Sequence, residues 1–120
     1  MEDLKQRTKR FASAIIRLYC ALPKARTEAQ VVGKQMLRSG ISVAANYRAA
    51  CRARSRAEFI AKMGTVIEES DETVFWLELL QEAAILSKDH AEHLLAEGNE
   101  LLAIFAASSK TSKLRRDSIQ

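Results

Sequence analysis

The stretch from Thr27 to Arg56 most constrains the fold, because it repeats its apolar residues at a helical period for eight turns without a proline or a strand-like alternation. Placed at 100° per residue, Val32, Met36, Leu37, Gly40, Val43, Ala44, Tyr47 and Cys51 gather on one side of a helix, the expected core face. Lys34, Arg38, Arg48, Arg52 and Arg56 gather on the other, with Ile41 and Ala45 among them. A merely solvated face would be polar throughout, so apolar surface inside a basic stripe points to a partner.

The rest of the chain repeats this design. A first helix is expected from about Asp3 to Leu22, with Leu4, Phe11, Ile15, Leu18 and Leu22 inward and Pro23 ending it, since proline has no N–H to give. Thr27-Glu28-Ala29-Gln30 reads as a capping box that opens the second helix. Ser55-Arg56-Ala57-Glu58 reads as another, opening a third helix whose core face is Phe59, Met63, Val66, Ile67, Ser70, Val74 and Leu77. That helix is expected to end near Leu86. Ser87 and Asp89 then cap a fourth, with Ala91, Leu94, Leu95, Gly98, Leu101, Leu102 and Phe105 inward as far as about Ser108. The residues after that are polar, basic and aperiodic. The expected organisation is therefore a four-helix unit over 1–108 and a basic, disordered tail over 109–120. Four amphipathic helices joined by short loops pack most simply as an all-α, antiparallel up-down-up-down four-helix bundle.

Charge is distributed unevenly. The chain of 120 residues carries a net charge of only +4, but residues 1–56 hold 13 Lys/Arg against 3 acids. Residues 57–109 hold 2 against 11, and residues 110–120 hold 4 against 1. Such a split serves either a nucleic-acid surface on the basic half or two halves that neutralise one another within or between chains.

Catalysis and metal binding find little support. Ser39 and Ser42 have no histidine or paired base near them in sequence, and nothing suggests an oxyanion hole, so no catalytic residue is assigned. Gln35, Ser39, Ser42 and Asn46 instead form a narrow polar seam that suits close approach of a neighbouring helix. His90, His93 and Glu97 share a face, yet no cysteine or third histidine completes a ligand set, so neither a metal site nor a cofactor is expected. Cys20 and Cys51 sit in apolar patterns with no signal peptide before them, which suggests reduced core thiols. No apolar run reaches the roughly 18 residues of a membrane span, and a soluble, cytoplasmic protein without membrane contact is expected.

Three runs also carry a family resemblance. Arg38-Ser39-Gly40-Ile41-Ser42-Val43-Ala44-Ala45-Asn46-Tyr47-Arg48, with Ala57-Glu58-Phe59-Ile60-Ala61-Lys62 and Glu72-Thr73-Val74-Phe75-Trp76-Leu77-Glu78-Leu79-Leu80 after it, resembles the bacterial four-helix-bundle family first noted in open reading frames within intervening sequences of large-subunit ribosomal RNA genes. The likeness covers roughly residues 8–113. Ala49 and Ala44 stand where Glu and Gly are expected in many members, so no role is given to an acid at position 49. The resemblance implies a bundle that assembles as a homopentameric ring, with no known enzymatic activity for most members. A related accessory protein of diversity-generating retroelements is similar in forming a ring that binds nucleic acid and a reverse transcriptase.

Two surfaces follow as candidates. The oligomer interface is expected to join Arg38, Ile41, Ala45, Arg48 and Arg52 of one subunit to Glu68, Glu72, Phe75, Leu79 and Glu82 of the next, each patch having an apolar centre and a charged rim. Unlike patches in contact close into rings or run on as filaments. An edge contact between the second and third helices of one chain is the simpler alternative. Outside that surface, Lys5, Lys9, Arg10, Arg54, Lys113, Arg115 and Arg116 are the candidates for RNA or DNA phosphates. The expected role is a non-enzymatic, oligomeric, nucleic-acid-associated adaptor or scaffold; the alternative is a structural or protein-interaction assembly that binds no nucleic acid.

Overall fold

The structure, a computed structural model, describes residues 3–119; Met1, Glu2 and Gln120 lie outside them. Four helices follow one another: α1 (Leu4–Ala21), α2 (Thr27–Cys51), α3 (Arg56–Glu82) and α4 (Lys88–Ile119). The described residues contain no strand. Antiparallel neighbours are shown by the pairs that meet. A Cβ at Gly40 of α2 would touch Ile15 of α1, Ser39 of α2 bonds Thr73 of α3, and Gly98 of α4 lies against Val74 of α3 and Phe11 of α1. This is the up-down-up-down bundle, 55 Å long and 25 × 21 Å across.

All four inward stripes step by alternating threes and fours. On α1 they are Leu4, Thr8, Phe11, Ile15, Leu18 and Leu22; on α2, Ala29, Gly33, Met36, Gly40, Val43, Tyr47 and Ala50. On α3 the stripe is Met63, Val66, Ser70, Thr73, Leu77 and Leu80, and on α4 it is Ala91, Leu94, Gly98, Leu101 and Phe105. A repeat near 3.5 residues keeps the same face on the neighbour along long helices, as in left-handed bundles. It also corrects the face expected for α2. Cys51 is exposed, and Ala29, Gly33 and Ala50 are buried in place of larger neighbours, because a wheel fixed at 100° drifts from a 3.5-residue repeat over seven turns. Cys20 is exposed as well, so both thiols are free and neither belongs to the core.

The helix ends follow local chemistry, with one correction. Asp3 caps α1 by accepting from the Lys5 amide at 2.9 Å, Ser55 caps α3 through the Glu58 amide at 3.1 Å, and Ser87 accepts from the His90 amide at 3.3 Å. Thr27 makes no cap: α2 begins after Arg26 without a side-chain cap bond, and Gln30 turns to the Pro23 carbonyl at 3.1 Å and the Tyr19 hydroxyl at 3.3 Å. Gln30 therefore ties α2 to the end of α1 rather than reaching back along its own turn. Helix α3 stops at Glu82, four residues short of expectation, in a turn where Ala84 adopts φ 57° and the Ile85 and Leu86 amides both bond the Leu80 carbonyl.

The tail is also corrected. Residues 109–119 continue α4 as helix, with Ser109 buried, while Gln120 lies outside the described residues. No glycine or proline interrupts this segment, and its lysines, leucine and arginines sustain a helix once the bundle has nucleated it. Among the described residues no helix is long and apolar enough to cross a membrane.

Candidate nucleic-acid interface

Antiparallel order puts the start of α1, the end of α2, the start of α3 and the end of α4 at one end of the bundle. That end is basic. Lys5 and Lys9 stand one turn apart on α1, and Arg48 and Arg52 one turn apart at the close of α2, where cations also meet the negative end of the helix dipole. Arg54 lies in the following turn, its backbone N–H held by the Glu58 carboxylate at 3.2 Å. Two clefts run along α2. One, of about 530 Å³, is lined by Asp3, Lys5, Gln6 and Lys9 on one wall and Ala44, Ala45, Arg48, Cys51 and Arg52 on the other. The second, of about 400 Å³, lies between Ala45, Arg48, Ala49 and Arg52 and the Arg54, Glu58 and Lys62 side.

Of the expected phosphate contacts, Lys5, Lys9 and Arg54 line these clefts and Arg10 is exposed on the neighbouring face of α1. Lys113, Arg115 and Arg116 lie on the last turns of α4. The ring of Phe105 stacks 5.5 Å from Tyr47, one turn before α2 ends, so α4 runs on beyond the other helices and carries these cations past the bundle end. Arg48 and Arg52, expected at a subunit contact, line both clefts. Lys62 was missed; it is one of only two cations in the acidic span 57–109, and that isolation was its one sequence signal.

The other surface divides differently. Arg38 turns to its own chain, bonding Glu72 at 3.0 Å and lying 3.6 Å from Glu69. This is the edge contact within the chain that competes with a subunit contact at that position. Ile41 stays 43% exposed, and Ala45, Glu68 and Glu82 are exposed, with Leu79 half-buried. Phe75 is 51% exposed and meets Trp76 edge-on at 5.0 Å. Across the polar seam, Ser39 and Thr73 hydroxyls bond at 2.9 Å, while Asn46 donates to Ser42 Oγ at 2.8 Å within α2 and Gln35 is exposed.

Two ionisable clusters stiffen the molecule near the basic end. Arg7 donates to both oxygens of Glu97, at 2.9 and 2.8 Å, and reaches Glu100 at 2.9 Å, clamping α1 to α4. Arg7 holds the Glu97 carboxyl below the usual carboxylate range. Burial pushes the Tyr47 phenol up to about 12, aided by its hydrogen bond with Cys51. His90 and His93 are exposed, and no cluster of three metal-ligating side chains occurs among the described residues.

The profile of the 23S rRNA-intervening sequence protein family matches residues 2–107, nearly the whole bundle. The chain belongs to this family. A crystal structure of a Bacteroides thetaiotaomicron VPI-5482 protein of unknown function, from the S23 ribosomal protein family, is 34% identical and superposes with a TM-score of 0.84. The alignment covers 90% of this chain and 99% of that one. Comparison with curated protein sequences returns no match. The match to the 23S rRNA-intervening sequence protein family stops at residue 107, so Lys113, Arg115 and Arg116 lie outside it while both clefts lie within it.

Proposed function

We propose that this member of the family is a non-enzymatic, self-assembling helical scaffold that holds nucleic acid by its phosphates. The observation that carries this reading is the gathering of unneutralised cations from α1, α2, the α2–α3 turn and α3 around two clefts at one end of the bundle. Lysine and arginine in that density displace counterions from a phosphate backbone, giving salt-sensitive binding with little sequence preference. No aromatic side chain lines either cleft, which argues against base stacking as the main contact. Fluorescence anisotropy with a short RNA and a short duplex at low salt tests the reading: binding that weakens steeply towards physiological salt is expected, and no binding of either at tens of micromolar refutes it.

Self-assembly rests on a separate observation, the exposure of Phe75 among Glu68, Glu72 and half-buried Leu79 on α3 and of Ile41, a second and different apolar spot, on α2. Patches that differ in this way join head to tail, and the resemblance to ring-forming relatives favours five subunits. In such an assembly the protein would present several basic ends together, and a partner such as a reverse transcriptase would meet the scaffold rather than a single chain.

A further inference from the structure

The two clefts are not equivalent to a flat basic patch, and their shape narrows what can occupy them. We infer that they form one continuous track for a single, unpaired nucleic-acid strand, passing from the α1/α2 furrow over the Arg48/Arg52 ridge into the α2/α3 furrow. The inference rests on the nucleic-acid reading above and names its ligand class and path.

Arg48 and Arg52 line both clefts, so a ligand in either is within their reach. Lys5 and Lys9 flank the ridge on one side, Arg54 and Lys62 on the other, and none of these six side chains has an ion-pair partner among the described residues. The only acids lining the clefts are Asp3 and Glu58. Each accepts a backbone amide, Asp3 from Lys5 and Glu58 from Arg54, and six cations against two carboxylates leave the track positive. The floor is Ala44, Ala45 and Ala49, small enough to let a sugar-phosphate chain lie close to α2.

Spacing supports one strand. The path crosses α2, so a strand meets Lys5 and Lys9, then the Arg48/Arg52 ridge, then Arg54 and Lys62, in steps set by the distance between neighbouring helices. Two interhelical furrows of about 8–10 Å each accommodate roughly three to four nucleotides. A duplex is a stiff convex cylinder too wide for either furrow; it would touch the rims and leave the floor empty. With no aromatic in the track, the bases face outward and sequence is not read.

The test uses labelled U12 and dT12 strands and a 12-base-pair duplex on the full chain, read by anisotropy across salt. U12 and dT12 separate RNA from DNA as the source of the shared phosphodiester chemistry. Both strands are expected to bind at least tenfold more tightly than the duplex, with a log–log salt slope near −2 to −3, about 0.7 per phosphate for three to four phosphates. The Lys5→Ala/Lys9→Ala variant should lose at least tenfold and lower the slope by about 1.4, whereas Lys113→Ala/Arg116→Ala should stay within twofold. A second readout locates the strand without mutation. Cys51 lines the track and Cys20 lies at the opposite end of α1, both exposed, so bound dT12 should slow iodoacetamide alkylation of Cys51 several-fold and leave Cys20 unchanged. Equal affinity for the duplex, or unprotected Cys51 under saturating strand, overturns the track while leaving nucleic-acid binding intact. Absence of binding to all three probes overturns both.

Discussion

Replacing Gly40 by alanine sets two effects of opposite sign against each other at a place where the structure decides between them. In a helix interior, alanine is favoured over glycine by about 1 kcal/mol. At Gly40, however, the new Cβ would lie 2.8 Å from Ile15 Cγ2, 3.1 Å from Cγ1 and 3.2 Å from Cβ. Ile15 is fully buried and β-branched, so it has no flexible end to swing aside. Overpacking of this kind costs about 1–3 kcal/mol, leaving a net loss of about 1 kcal/mol. Gly64 is the matched control, because nothing lies within 4 Å of its missing Cβ. Gly64→Ala should therefore stabilise by close to the full ~1 kcal/mol of helix propensity. The two variants then differ by about 2 kcal/mol, or about 8 °C in Tm for a chain of this length. Thermal melts by circular dichroism read the difference directly. A Gly40→Ala protein that melts at or above Gly64→Ala would refute the close α1–α2 approach on which the bundle geometry rests.

Leu77→Ala opens a cavity among fully buried neighbours and should cost about 2–5 kcal/mol; a melt indistinguishable from wild type would mean that the faces of α3 are reversed. The Arg7–Glu97 clamp predicts a pH effect, since a folded-state pKa held below its ordinary value stabilises above the unfolded value of about 4.3 and loses that stabilisation as pH falls through the folded value. Glu97→Gln should accordingly lower Tm at pH 7 by more than it does in acid, the deficit shrinking as pH falls through the folded-state value, and a deficit that stays constant with pH would show that the clamp acts through packing alone. Phe75→Glu should reduce the sedimentation coefficient by breaking a subunit contact, and should change the emission of Trp76, the only tryptophan, which Phe75 meets edge-on; an unchanged oligomer would remove Phe75 from the interface.

What could be read in the chain beforehand depended on side-chain size. Phe11, Ile15, Met63, Leu77, Leu101 and Phe105 mark their helices' inward faces because large apolar groups leave a strong periodic signal, and the four-helix order followed from them. The inward stripe of α2 was blurred because Ala29, Gly33 and Ala50 contribute closeness rather than bulk, and Cys51 took their place in the pattern. Thr27 failed as a cap because Gln30 found tertiary partners, which no local motif can foresee. The basic residues were legible one by one, but their grouping was not. Lys5 and Lys62 lie 57 positions apart in sequence, and only the antiparallel packing sets them on opposite sides of Arg48 and Arg52. Arg38 shows the converse, an arginine that looked available on the wheel and is held by Glu72 in its own chain.

The central claim, a self-assembled scaffold that carries nucleic acid, is tested most directly by sedimentation velocity of the protein with a fluorescent dT12 strand, followed at the label's wavelength and at low salt. The account predicts that the label moves with a particle several times heavier than the 13.4 kDa chain and leaves that particle when salt is raised. A protein that sediments as a 13.4 kDa monomer while the label stays behind as free strand would contradict it.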